Sequence, residues 1–221
     1  MIEAKHSKLA NFMFDRYIMR LLNHSFNSFY TLNECPQTIS RFPVLLIPNH
    51  STWWDGFFIY MINRFYFNRH LYIMMLERQL KRYPFFRRVG AFSIDPEQKK
   101  EIRRSLEYTL ELMKITSEPA PLITLFPQGE LLPWALRPLN FKKGLAWIIS
   151  HYPHRLNLIP VVLRIEYQNE QKANVFFKFG ENHICDKYTF AGTDVLEKEV
   201  TELLDSLSND ILEKKQGIRI M

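Results

Sequence analysis

The chain has 221 residues, 47% of them hydrophobic and 24% charged, with a formal net charge of +6. This length allows one sizeable core, and the composition excludes disordered, fibrous and collagen-like classes. Its only cysteines, Cys35 and Cys185, stand far apart without His or Cys companions at ligand spacing, which excludes a disulfide framework and a zinc site and fits the cytosolic side of a membrane.

Aromatic residues reach 14%, so the rings either build a Phe-rich core or in part face lipid. The positive charge suits an anionic membrane surface, a phosphorylated substrate or nucleic acid. The opening Met1 to Lys8 is polar, and no apolar run approaches the roughly 18 residues of a spanning helix. Neither a signal peptide nor a transmembrane segment is predicted, and any membrane contact is expected to be peripheral.

Residues 8–31 carry Ala10, Phe14, Tyr17, Ile18 and Leu21 on one helical stripe, widened by Phe12, Met13, Met19, Leu22, Phe26 and Phe29. This predicts one long or two short amphipathic helices, whose apolar face lies on a membrane or packs on the domain's own core. Residues 43–47 (Pro-Val-Leu-Leu-Ile) form the apolar run of a buried strand that stops at Pro48. A helix is expected from Thr52, with Asp55 three residues after the cap, to Ile62. Residues 71–76 and 91–94 read as strands, separated by the basic segment 77–88.

Asp95 at the cap, Pro96 at the first helical position and Gln98 three after the cap predict a helix start. That helix carries Ile102, Leu106, Leu110 and Met113 and ends near Pro119. A strand at 122–126, a helix at 140–151 and strands at 157–165 and 174–179 follow. Leu196, Val200, Leu203, Leu204, Leu207 and Ile211 mark a final amphipathic helix. The alternation predicts an α/β fold: a single domain over residues 36–221 with a mixed, largely parallel central sheet flanked by helices, preceded by an N-terminal amphipathic helical segment over residues 1–35.

Asn49-His50-Ser51-Thr52-Trp53-Trp54-Asp55 places a histidine at a strand end and a carboxylate five residues on. On one continuous helix the two side chains would stand about 140° apart, so they meet only if His50 precedes the helix. The expected strand, Pro48 and the Thr52 cap supply that geometry. A carboxylate on one ring nitrogen fixes the tautomer and raises the basicity of the other, as a base that deprotonates an alcohol requires. Taken alone, the segment reads equally as a helix-capping Asp55 beside a loop histidine.

The motifs around it resemble those of the 1-acylglycerol-3-phosphate acyltransferase family. Asn49-His50 through Asp55 matches its Asn-His-x4-Asp, and Gly90 to Asp95 resembles its Gly-x-x-Phe-Ile-Asp-Arg, with Pro96 in place of the Arg. Phe126-Pro127-Gln128-Gly129 is similar to Phe-Pro-Glu-Gly, Phe141-Lys142-Lys143-Gly144 to Phe-Lys-x-Gly, and Leu158-Ile159-Pro160-Val161 to the apolar strand with a proline. The resemblance spans residues 43–163.

It implies transfer of a fatty acyl group from an acyl thioester, acyl-CoA or acyl-ACP, to a lipid hydroxyl, with no covalent enzyme intermediate and no metal or other cofactor. His50 and Asp55 are the implied catalytic pair. Asn49, Phe126, Pro127, Gln128, Gly129, Arg137, Lys142 and Lys143 are the expected substrate-binding residues. Backbone N–H groups after His50 or near Gly129 are candidates for the oxyanion site. The implied partners are the thioester donor, the lipid acceptor and a membrane surface rather than nucleic acid, with the protein peripheral on the cytoplasmic face.

Two family arginines associated with the acceptor's phosphate are absent, their places taken by Pro96 and Leu131. Either Arg87, Arg88, Arg137, Lys142 or Lys143 compensates, or the acceptor is a lyso-lipid or lipid alcohol without that phosphate. A catalytically inactive, membrane-binding or scaffolding relative is the alternative reading.

Overall fold

The computed structural model describes residues 1–221. Its centre is built from strands too apolar for one wet face. Strand β2 (Val44–Pro48) is buried at every position, as are β5 (Leu122–Thr124) and the first eight residues of β6 (Leu156–Glu166). With β3 (Leu71–Leu76) and β4 (Ala91–Ile94) they form a parallel array in the order β4-β3-β5-β2-β6. Runs of this kind need cover on both faces.

Beyond β6 the sheet turns mixed. Strand β7 (Asn174–Phe179) is antiparallel to β6 and parallel to β1 (Ser28–Thr31). Strand β9 (Ile218–Arg219) closes that edge antiparallel to β1, and β8 (His183–Cys185) pairs with the start of β6.

Alternate residues of each strand feed two cores. Leu45, Ile47, Ile123 and Leu158 face one layer of helices, α4 (Lys99–Met113), α5 (Gly144–His151) and α6 (Thr193–Leu212). Val44, Leu46, Leu122 and Ile159 face the other, α1 (Lys8–Ser25) and α2 (Asp55–Ile62). The period of two along the strands assigns neighbouring residues to opposite faces.

Helix α1 is capped by Ser7, whose hydroxyl accepts from the Ala10 N–H at 3.4 Å. Ala10, Phe14, Ile18 and Leu22, spaced by four, form its buried face. A second stripe points outward: Leu9, Phe12, Met13 and Tyr17 are 55–68% exposed. No helix is long and apolar enough to cross a membrane.

Three expected helix boundaries are corrected, and a segment left without an expected element is assigned. The helix over 8–31 ends at Ser25, because Phe26 is extended and residues 28–31 gain a full ladder with β7. Helix α2 begins at Asp55, not Thr52, since the Asp55 carboxylate folds the preceding residues into a turn. Helix α4 begins at Lys99, because Asp95 accepts from the Glu97 N–H and the Gln98 amide and holds 95–98 in a turn. The basic stretch after β3 is helical, as α3 (Glu77–Arg82) and a 3-10 turn at Pro84–Val89.

Candidate active site

The C-terminal ends of β2 and β5 meet beside the middle of β6, where the chain delivers His50. Pairing of β2 with β6 ends at Pro48 opposite Val161. The next residue, Asn49, extends the connection with its side chain. Its Oδ1 accepts from the Leu163 N–H at 2.8 Å and its Nδ2 donates to the Leu163 carbonyl at 3.2 Å. With Asn49 only 2% exposed, this pair of hydrogen bonds satisfies groups that water cannot reach.

His50 follows in the turn before α2, and its Nδ1 lies 2.9 Å from Asp55 Oδ2. A carboxylate only accepts, so Nδ1 carries the proton and the lone pair of the neutral ring is on Nε2. Asp55 is fully buried. Its Oδ2 also accepts from the Ser51 and Thr52 N–H groups at 2.7 and 2.9 Å, and its Oδ1 from the Thr52 hydroxyl at 2.6 Å. Its position in the first turn of α2 also places its charge at the favourable end of the helix dipole. The histidine side chain keeps 24% of its surface exposed. The arrangement is chemically suited to taking a proton from a hydroxyl.

The segment after β5 wraps the other side of His50. The Phe126 ring stacks on the imidazole at 4.0 Å between centroids. Gln128 Oε1 accepts from the His50 N–H at 2.6 Å, and the Leu132 N–H donates to the His50 carbonyl at 3.0 Å. Gly129 has φ +72°, and a Cβ there would stand 3.1 Å from Lys142 Cγ, so both backbone and space call for glycine. The Pro127 carbonyl accepts from the Lys142 N–H at 2.8 Å, which ties the Phe-Pro-Gln-Gly turn to the Phe-Lys-Lys-Gly segment.

The cations expected at the site fall into two groups. Lys142 Nζ lies 3.4 Å from Glu130, and both side chains are exposed, while Lys143 is exposed and makes no ion pair. The Arg137 guanidinium pairs with Asp205 at 2.9 Å and donates to the Trp134 and Leu136 carbonyls, so it fastens its loop to α6. Gly90 is structural: a Cβ would lie 2.0 Å from the Leu71 carbonyl oxygen, and φ is +106°. Burial pushes the thiols of Cys35 and Cys185 up to about 12, which leaves no thiolate nucleophile at neutral pH.

Sequence reasoning did not single out Leu132 and Leu163, which act through their backbones and leave no signal in side-chain identity. Thr52 was read as a helix cap, whereas its hydroxyl donates to Asp55 and accepts from the Trp54 N–H.

A histidine bonded to a buried carboxylate at the mouth of a mixed α/β sheet is an arrangement with the chemistry to activate a hydroxyl or a water. The profile of the acyltransferase family matches residues 31–164, more than half of the chain, and the protein belongs to that family. The fold is similar to the crystal structure of PlsC from Thermotoga maritima, described as a 1-acyl-sn-glycerophosphate (LPA) acyltransferase. The TM-score is 0.58 at 15% identity, over 88% of this chain and 77% of that one. No curated protein sequence matches the chain.

Proposed function

We propose that the protein moves a fatty acyl group from an acyl thioester, acyl-CoA or acyl-ACP, to a lipid hydroxyl, with His50 as general base and Asp55 orienting it. The observation that carries this reading is the 2.9 Å bond from His50 Nδ1 to buried Asp55, which leaves Nε2 as the basic nitrogen. As Nε2 takes the hydroxyl proton, the oxygen attacks the thioester carbonyl. The tetrahedral oxyanion then collapses, the C–S bond breaks, and the proton passes from Nε2 to the departing thiolate. Each step is a proton or acyl transfer, so the reading includes no cofactor. Base catalysis of this kind contributes about 10²–10⁴-fold.

The acceptor in this reading is a lyso-lipid or lipid alcohol lacking the phosphate beside its hydroxyl. Pro96 and Leu131 stand where the family's arginines are expected, and two possible substitutes, Arg137 and Lys142, already face Asp205 and Glu130. The outer stripe of α1, with exposed Lys8, Arg16 and Arg20 beside it, supports peripheral attachment to an anionic cytoplasmic leaflet. The test is thiol release from acyl-CoA in the presence of a lipid extract. His50→Ala is expected to abolish it in a folded protein, and unimpaired transfer by that variant would refute the reading.

A further inference from the structure

His50 is held from both ends. Asp55 takes Nδ1 of the ring, while the segment after β5 takes the backbone through Gln128 and Leu132. The His50 N–H has no partner in the sheet, because the β2–β6 ladder has ended at Pro48. The Gln128 oxygen, at 2.6 Å, is the acceptor that satisfies it. Gln128 is itself 2% exposed, whereas Gly129, Glu130 and Leu131 that follow are open to solvent. A carboxamide closed off in this way, with its oxygen engaged on the main chain, is poorly placed to touch a lipid acceptor.

We infer that Gln128 is a positioning residue of the acyl-transfer site rather than a substrate-binding one. By fixing the backbone of His50 it sets where Nε2 stands relative to the hydroxyl that loses its proton. The inference rests on the reading of His50 as the base. A carboxylate oxygen accepts the same N–H bond, so Gln128→Glu preserves the device. Gln128→Leu keeps much of the volume and removes the acceptor. Displacement of a reacting group by about 1 Å lowers rates by about 100-fold, which sets the scale of the expected effect.

The experiment compares the full-length wild type, Gln128→Leu, Gln128→Glu and His50→Ala, with oleoyl-CoA as donor and a detergent-dispersed lipid extract as acceptor. Rates are normalised to the folded fraction measured by circular dichroism. Gln128→Leu is expected to lose about 10- to 100-fold in kcat. Its half-saturating concentrations of donor and acceptor stay within about twofold of wild type, and Gln128→Glu retains kcat on the same scale. A rise in either half-saturating concentration with kcat intact would assign Gln128 to substrate binding and overturn the inference. So would unchanged kinetics in Gln128→Leu beside an inactive His50→Ala, an outcome that leaves the base itself standing. Activity in His50→Ala instead removes the reading beneath. Should Gln128→Leu not fold, Gln128→Glu decides: retained kcat with unchanged half-saturation supports positioning, and weakened half-saturation refutes it.

Discussion

Asp55 both closes the turn that carries His50 and holds the histidine ring: its Oδ2 accepts from His50 Nδ1 at 2.9 Å and from the Ser51 and Thr52 N–H groups at 2.7 and 2.9 Å. Closing the turn and holding the imidazole ring are therefore two uses of one carboxylate. Four residues between His and Asp are what the turn needs for both to hold.

Asp55→Asn separates charge from geometry. With its oxygen in the Oδ2 position the amide keeps the bonds from His50 Nδ1 and from the Ser51 and Thr52 N–H groups, and its NH2 faces a Thr52 hydroxyl able to accept. Stability should change by no more than about 1 kcal/mol, while the lost negative charge lowers kcat by about 100-fold. Asp55→Ala leaves the Ser51 and Thr52 N–H groups and the His50 ring without their acceptor and is expected to cost about 2–4 kcal/mol in urea unfolding. Equal rates for wild type and Asp55→Asn would remove the orienting charge from the mechanism.

The proposed acceptor is tested at Leu131, which is 52% exposed beside Leu132, the residue bonded to the His50 carbonyl. Wild type is expected to acylate a lipid alcohol without a vicinal phosphate faster than lysophosphatidic acid. Leu131→Arg supplies a charge-assisted donor and should improve the relative rate on lysophosphatidic acid by about 10-fold. Lipid mass spectrometry of paired reactions measures the ratio, and efficient wild-type acylation of lysophosphatidic acid would contradict the acceptor assignment.

The parts of the fold legible in the sequence are those fixed by local pattern. The apolar runs of β2, β5 and β6 and the helical stripes of α4 and α6 follow from burial on one face or two, and residues 43–163 carry ordered motifs. What was missed depends on distant partners. Residues 28–31 look like more amphipathic helix until β7 is there to pair with, and β8 and β9 are too short to announce themselves. Of the site, the His50–Asp55 spacing was readable, whereas the bonds from Leu132 and Leu163 come from main chain and were not.

Arg69 is 7% exposed and has no carboxylate partner. Its guanidinium donates to the carbonyls of Ile39, Ser40, Phe42 and Ala120 and to the Thr38 hydroxyl, and burial lowers its pKa from the usual arginine range. It thus ties the loop before β2 to the entry of β5. Arg69→Leu leaves buried acceptors unpaired and should destabilise the protein by about 2–4 kcal/mol in denaturant titration, with activity per folded molecule unchanged. A loss under about 0.5 kcal/mol would show that the loop is held by other contacts.

His183 joins β8 to α6 through Glu199, with Nε2 at 2.9 and 3.0 Å from the two carboxylate oxygens. The hydrogen bond to Glu199 raises the His183 pKa above its ordinary value. A raised folded-state pKa means stabilisation fully present below the unfolded value, near 6.5, and lost as pH rises through the folded value. Both side chains are partly exposed, so the effect is about 0.5 kcal/mol. Thermal midpoints should fall slightly from pH 6 to pH 9 in wild type, and His183→Gln should flatten that part of the slope. An identical slope in the variant would dismiss the pair as a pH-dependent contact.

Helix α1 carries two apolar stripes, and this decides how membrane attachment is tested. Deleting the helix removes Ala10, Phe14, Ile18 and Leu22 from the core, so the deletion unfolds the protein whatever its partner. The outer stripe can be changed alone, since Leu9, Phe12, Met13 and Tyr17 are 68%, 55%, 58% and 62% exposed. Each such side chain gains roughly 1–2 kcal/mol on transfer to an apolar phase, and each neighbouring Lys or Arg contributes about 1 kcal/mol near an anionic leaflet. Replacing all four by Ser should leave the thermal midpoint within a few degrees while lowering co-sedimentation with phosphatidylglycerol-containing vesicles by more than about 100-fold. Turnover of detergent-dispersed acceptor should persist as turnover of bilayer-embedded acceptor falls. Phe14→Ala is the control from the inner stripe, expected to cost about 3–5 kcal/mol of stability without changing vesicle binding by the folded fraction. Undiminished vesicle binding by the folded fourfold variant would place the membrane contact elsewhere on the protein.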